Sequence, residues 1–230
     1  MKKNLLITVL FIASSVISNL NAQSVYSDND VDKYISNVSI TKVSETGYLG
    51  SPYENENFQK GTISKNGVTI SHNIYLRYNA HKDIFEVKKT AALKDNQAKL
   101  LKRTDEIIIS INNNKYVYLP ASSEQTRAGY FVLLHKGDIS LYKKIKKQFI
   151  PAQKAYTSLA QDVAPTFNEK ITLYITNNKG ELTELANSKN GKLKAFENHK
   201  KEVKQFVKEN KLNLNKEAHL IKLVKYYNSL

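Results

Sequence analysis

Short runs of β-branched and aromatic residues, separated by turn residues at hairpin spacing, fill residues 58–185 of this 230-residue chain. The clearest turn is Asn66-Gly67, which lies between two apolar runs and is the strongest short-range signal for a hairpin. Four further turns occupy residues 79–82, 112–114, 136–138 and 177–180. Five hairpins predict about ten antiparallel strands. A curled meander of that size must form a half-barrel, a barrel or a sandwich in order to bury one face.

The apolar period changes from two to about 3.6 within residues 186–230. Helical spacing links Leu193, Phe196, Val203, Phe206 and Val207, and then Leu220, Ile221, Val224 and Tyr227. A polar break at 210–215 separates the two groups, and Asn215 is a suitable N-cap with Glu217 in the first turn. We therefore expect two amphipathic C-terminal helices packed on the sheet, which makes the fold mainly β within the α+β class.

Three remaining segments lack a strong pattern. Residues 23–57 are polar, with at most one weak strand, whose apolar positions are Tyr34, Val38, Ile40 and Val43. Residues 120–128 are predicted to form an exposed loop because of their polarity. Residues 151–168 are rich in alanine and bracketed by prolines, which favours either a short surface helix or a mobile lid.

The first 22 residues have the pattern of a cleavable signal peptide. Lys2 and Lys3 precede an apolar run at 5–17, and small residues end the segment at Ala22. The run is shorter than the roughly 20 residues that a transmembrane helix needs. The sequence therefore predicts an exported protein that is periplasmic, associated with the outer membrane or extracellular, and whose mature chain is residues 23–230.

Composition limits the partners and the means of stabilisation. The chain has no cysteine, so its core must hold the fold without disulfides. The net charge is +14, or +12 after the signal is removed, which favours anionic partners such as lipid headgroups or lipopolysaccharide phosphates. A genome rich in lysine and asparagine codons is the alternative explanation. Only Arg77, Arg103 and Arg127 are arginines, so specific nucleic-acid recognition is not expected.

A search for chemistry finds no motif of a known reaction. The five histidines show no spacing of a helical metal pair. No Gly-x-Ser-x-Gly elbow is present, and no carboxylate pair is indicated for acid and base work. We therefore expect no cofactor, no metal and no enzymatic activity. A hydrolase whose site is assembled across several strands is the alternative.

Two groups of residues are candidates for a binding surface. Tyrosines at alternating strand positions can pack their rings in the core, or they can form an aromatic interface. A lysine-rich run near residue 145 can guard an edge strand against mispairing, or it can form a polybasic membrane-surface patch; helical spacing also fits this run. The candidate surface residues are Tyr75, Tyr78, Tyr116, Tyr118, Lys143, Lys144, Lys146 and Lys147.

Three segments resemble a group of secreted proteins from Bacteroidota that has no assigned activity. The segments are Gly50-Ser51-Pro52-Tyr53 followed by Phe58 and Gly61, the sequence YLRYNAHKDIFEV from Tyr75 to Val87, and the closing HLIKLVKYYNSL. The resemblance implies secretion and a shared fold. It assigns no functional residue.

These observations together favour a non-enzymatic binding or assembly protein of the periplasm or the outer-membrane periphery. Its expected partner is another protein or an anionic envelope component. Peripheral contact with a membrane is compatible with the sequence, which does not define the oligomeric state. A carrier that holds a lipid or another apolar ligand between the sheet and the helices is an alternative from a second class.

Overall fold

The computed structural model describes residues 28–39, 47–121, 127–155, 157, 161–177 and 179–230. These residues form eleven strands in one antiparallel sheet, together with three α-helices near the C-terminus. The predicted mainly β fold with a helical C-terminal end is thereby confirmed. The signal peptide at 1–22 and the strand positions Ile40 and Val43 lie outside the described residues.

The elements follow the predicted pattern closely. The strands are β1 (Ile35–Ser39), β2 (Gln59–Lys65), β3 (Val68–Asn79), β4 (Ile84–Lys88), β5 (Lys99–Leu101), β6 (Ile107–Ile111), β7 (Asn114–Leu119), β8 (Gly129–His135), β9 (Leu141–Ile150), β10 (Thr166–Thr176) and β11 (Leu182–Glu184). The helices are α1 (Lys189–Lys194), α2 (Lys200–Glu209) and α3 (Glu217–Tyr227).

All five predicted hairpins are present as pairs of neighbouring strands. In the β2–β3 turn Asn66 has φ 50° and Gly67 has φ 80°. Two successive residues with positive φ are what a type I′ turn requires, because its twist matches that of the flanking strands. Asn66 and Gly67 therefore specify this turn locally, because both residues tolerate the left-handed conformation.

The strand order differs from a simple meander. The order is β1-β5-β4-β3-β2-β6-β7-β8-β9-β10-β11, so β2 pairs with both β3 and β6. The chain thus forms one meander from β2 to β5 and a second from β6 to β11, and β1 adds to the outer edge of β5. The sheet curls but does not close, and β1 and β11 are its two edges.

One face of the sheet, here called the inner face, carries both parts of the core. The first part fills the curl with side chains from β2 to β9, such as Leu76, Ile109 and Val132. The second part lies between the helices and the strand residues around Leu141. Leu134 contacts both parts, so the helices continue the same core along the sheet.

The helical end is more divided than predicted. Helix α1 ends at Lys194, a single 3₁₀ turn follows at Glu197–His199, and α2 then begins at Lys200. Glu217 lies in the first turn of α3 as predicted, but the N-cap is Lys216, and the side-chain oxygen of Asn215 accepts a hydrogen bond from Lys192 instead. In the described part of the chain, no helix has the length and apolar character needed to cross a membrane.

The two longer connections are described only in part. In the 151–168 connection, Gln153 and Val163 form an antiparallel bridge, and Thr166 already begins β10. The described residues of this segment contain no helix, so the helix expectation is not met there. In the 120–128 loop, residues 122–126 lie outside the described ranges, and the residues on either side are exposed.

Candidate functional site

The four lysines of the basic run divide between the two faces of β9. Lys143 and Lys147 lie on the inner face, where they form ion pairs of 2.8 Å with Glu217 and 2.9 Å with Glu169. Lys144 and Lys146 lie on the opposite, outer face because side chains alternate along a strand. The run is therefore not one continuous basic surface.

The position of β9 excludes the guarded-edge interpretation of these lysines. β10 pairs with β9 along its whole length, and β8 pairs with its first residues. Further along, the Lys147 amide donates a hydrogen bond to the Ala80 carbonyl at 3.2 Å. The segment is thus an internal strand, and the helical alternative is wrong as well.

The predicted tyrosine surface is mostly core. Tyr78 and Tyr116 are only 3% and 2% exposed, and their rings pack around Phe85 inside the curl. Tyr118 is partly buried on the same inner face against Tyr130. Tyr75 is half-buried on the outer face, away from this cluster. The physical reason is that Tyr78 shares its face with Ile74 and Leu76, which direct it into the core.

The outer face of β8, β9 and β10 carries a cleft of about 320 Å³. Phe131 and Tyr174 form part of its lining, with ring centroids 5.3 Å apart in an edge-to-face arrangement. The lining residues are Ala80, His81, Asp83, Arg127, Ala128, Phe131, Lys144, Lys146 and Tyr174. The cleft therefore combines an aromatic surface with several cationic side chains.

Asp83 is the one carboxylate among the described lining residues, and three donors already engage it. The Tyr78 hydroxyl donates to it at 2.6 Å, the Lys144 ammonium at 2.8 Å and the Tyr130 amide at 3.3 Å. Burial lowers the pKa of Lys144; Asp83 opposes that shift, while the charges of Arg103 and Lys146 add to it. Asp83 is thus a structural partner of Lys144, and both of its oxygens accept hydrogen bonds from protein donors.

Positive charge remains uncompensated next to this pair. Lys146 and Arg127 are exposed, and in the described part of the chain no carboxylate lies within ion-pair distance of either. Lys170 of β10 stands directly opposite Lys146 on the same face. Like charges opposite each other across two strands destabilise a sheet, so this arrangement favours an anion that reduces the repulsion.

A buried network anchors the strands behind the cleft wall. The Arg77 guanidinium donates two hydrogen bonds, of 2.9 and 2.6 Å, to one oxygen of Glu86, and it lies between the rings of Tyr53 and Phe58 at 4.1 and 4.2 Å from their centroids. Burial and the Glu86 carboxylate raise the pKa of Tyr53 to about 12, so its hydroxyl remains a donor to Glu86. These four residues come from the segments that carry the family resemblance, and here they have a structural role.

The loop that carries Tyr53 and Phe58 also holds the turn that forms the cleft wall. The loop at 49–58 contacts the end of β3 through two backbone hydrogen bonds: Glu54 donates to the Tyr78 carbonyl, and His81 donates to the Pro52 carbonyl, both at 3.1 Å. The 80–83 turn is therefore held by this loop on one side and by the Lys147 amide of β9 on the other. A cleft wall that is fixed before ligand arrives does not lose conformational freedom on binding.

The alternative of a carrier that holds an apolar ligand between the sheet and the helices receives less support from the packing. Apolar side chains fill the interface between the inner face and α2 and α3. A cavity of about 290 Å³ next to α1 is lined in part by polar groups such as Asn177, Glu184 and Lys194. Among the described residues, no group of three or more histidine, cysteine or carboxylate side chains is arranged to hold a metal ion.

The candidate surface residues predicted from the sequence include Lys144 and Lys146, but none of the other residues that line the cleft. His81 and Asp83 belong to a hairpin turn, and Arg127 ends a loop, so each looked like an ordinary exposed residue. Positive φ at Asp83, 56°, is the local sign of a constrained turn, but the sequence pattern does not reveal it. Comparisons with protein-family models, with curated proteins and with solved structures find no match to this chain.

Proposed function

We propose that this protein is a non-enzymatic binding protein of the cell envelope, and that the outer-face cleft holds a phosphate-bearing anionic component. The observation that carries the proposal is the uncompensated charge of Arg127 and Lys146 in a concave site, with Lys170 adjacent. The volume suits a headgroup-sized ligand. The half-buried ring of Tyr174, which packs on the buried Phe131, supplies an apolar surface for the part of the ligand that carries no charge.

Export is part of the proposal and rests on the leader sequence. A signal that ends at Ala22 delivers the chain to the compartment where lipid headgroups and lipopolysaccharide phosphates are exposed. N-terminal sequencing of the protein recovered from the periplasmic and culture fractions tests this point. We expect Gln23 as the first residue, and an intact Met1 in the exported protein would contradict the expectation.

Binding is tested with two probes that separate a free phosphate from a membrane surface. The mature protein is titrated with inorganic pyrophosphate by calorimetry, and it is sedimented with phosphatidylcholine vesicles that contain or lack 20 mol% phosphatidylglycerol. Binding of pyrophosphate alone indicates a soluble ligand, whereas binding only to the anionic vesicles indicates a headgroup on a membrane. Binding to neither probe at low salt would contradict the proposal.

Matched charge variants distinguish the cleft from general basicity. Arg127→Gln/Lys146→Gln removes two charges from the cleft, and Lys200→Gln/Lys204→Gln removes two exposed charges from α2. We expect affinity to fall at least tenfold in the first variant and to change less than twofold in the second. Equal losses in both variants would show that only the net charge matters.

A further inference from the structure

Among the described residues, the edge of β10 that points away from β9 is unpaired between two points where other segments of the chain cover it. At one end the Leu49 amide donates to the Pro165 carbonyl at 2.8 Å, and the Phe167 amide donates to the Leu49 carbonyl at 2.9 Å. At the other end the Leu185 amide donates to the Leu173 carbonyl at 2.8 Å, where β11 begins to pair with β10. Within the part of the chain that the structure describes, residues 168–172 between these points pair with β9 alone.

The backbone groups of this stretch point outward in a regular way. The backbone groups of Phe167 and Leu173 form hydrogen bonds on the side away from β9. Glu169 and Ile171 lie two and four residues after Phe167, so their amide and carbonyl groups also point away from β9. None of these four groups has a hydrogen-bond partner within the described ranges. An edge with free donors and acceptors is a template for another strand.

The side chains along the gap differ between the two faces. Ile171 is 53% exposed and lies on the inner face. Lys170 is exposed on the outer face, where Lys146 is its cross-strand neighbour. Glu169 is already paired with Lys147. A strand added here would meet an apolar group on one face and, on the other, a cation that has no ion-pair partner among the described residues.

We propose that the 168–172 edge of β10 binds an extended segment of another protein by strand addition. The segment carries an apolar side chain next to Ile171 and a carboxylate next to Lys170, at alternating positions. Main-chain hydrogen bonds supply affinity in this mode, and alternate side chains supply specificity. The covered ends at Leu49 and Leu185 limit the added strand to about five residues, roughly 17 Å.

Charge complementarity favours a different protein over a second copy of this chain. A two-fold antiparallel pair centred on Lys170 would oppose two lysines, and one centred on Glu169 would oppose two glutamates. A pair centred on Ile171 avoids both clashes, so the experiment must distinguish self-association from the binding of another protein. The proposal does not depend on anion binding in the cleft.

The test uses a fluorescein-labelled peptide of alternating valine and glutamate and its valine and lysine counterpart, with binding followed by anisotropy. We expect the acidic peptide to bind the mature protein at least tenfold more tightly. Lys170→Glu should reverse that preference. Failure of the acidic peptide to bind at its solubility limit, or equal affinity of the two peptides, would overturn the proposal.

Two further arms show whether the peptide adds as a strand. One peptide is N-methylated at its valine amides and another at its glutamate amides. Only one of the two should lose binding, because alternate amides of an added strand face β10. Ile171→Lys should weaken binding at least tenfold, whereas Thr183→Lys on the exposed part of β11 should not. Equal effects within either pair, or a dimer in sedimentation that Ile171→Lys dissociates, would overturn the proposal.

Discussion

Arg77 and Glu86 form an ion pair in which both side chains are almost fully withdrawn from solvent, at 4% and 1% exposure. Their strands β3 and β4 hold them opposite each other on the outer face. Asp95 and the Glu56 carbonyl accept the remaining guanidinium hydrogen bonds, at 3.0 and 2.9 Å. A buried charge pair is costly to desolvate, and removing one partner is costlier still because the other charge then stays buried alone.

Removing one partner of this pair should destabilise the fold strongly. Arg77→Met leaves Glu86 buried without its cation, and we expect the free energy of unfolding to fall by about 3–5 kcal/mol. Arg77→Met/Glu86→Met should recover part of that loss because neither member of the pair is then left buried without its counter-ion. Urea unfolding measures both values. Lys89→Met, which breaks an exposed pair with Asp32, is the control and should cost less than about 1 kcal/mol.

Gly50 is required where the loop at 49–58 approaches β10. Its φ is +76°, and an added Cβ would lie 2.8 Å from the Phe167 carbonyl oxygen. Gly67 has a similar φ of +80° but open space around it. We expect Gly67→Ala to cost about 1–2 kcal/mol from backbone strain, and Gly50→Ala to cost clearly more in urea unfolding. Equal costs would show that the close approach to Phe167 has no energetic effect.

Glu54 should make stability depend on pH in an unusual direction. Burial raises the pKa of Glu54, although the Tyr116 hydroxyl donates to it and opposes the shift. Because the folded state holds the proton more tightly, the stabilising contribution is complete below the unfolded pKa and is lost as pH rises through the folded value. Glu54→Gln should therefore be more stable than wild type at pH 7, with a smaller difference at pH 4.5.

Glu106 provides a control of opposite sign for that experiment. The hydrogen bond from Lys65 lowers the pKa of Glu106, so its stabilising contribution is present above the unfolded pKa and is lost as pH falls through the folded value. Glu106→Gln should therefore be less stable than wild type at pH 7. If both variants shift stability in the same direction, the environments assigned to the two carboxylates are wrong.

The sequence predicted the local elements well and the site only in part. Alternation and turn chemistry are local, so the hairpin at Asn66-Gly67 could be identified from a few residues. The same alternation places Tyr78 with Leu76 on one face, which agrees with core packing, the first of the two expectations for the tyrosines. The cleft was different, because it joins a turn near residue 81 to a loop end at residue 127. Only the curl of the whole sheet brings these positions together.

The opposed lysines of β9 and β10 lead to a prediction about stability and salt. Lys146 and Lys170 are direct cross-strand neighbours on the outer face. Lys170→Glu replaces a repulsive pair with an attractive one, and we expect the free energy of unfolding to rise by about 0.2–1 kcal/mol at low ionic strength. The gain should shrink in 1 M salt, where the Debye length is only about 3 Å.

A change of net charge alone could give a similar gain, because the chain carries +14. Lys60→Glu makes the same change of charge at an exposed position of β2, where the cross-strand neighbour is Tyr75 and not a lysine. Urea unfolding of both variants at 50 mM and 1 M salt separates the two causes. Equal gains would mean that the protein relieves its overall charge, and that the Lys146–Lys170 pair creates no local demand for an anion. A gain confined to Lys170→Glu would mean that this pair is the source of the repulsion, which is also the reason for expecting an anion to bind beside it.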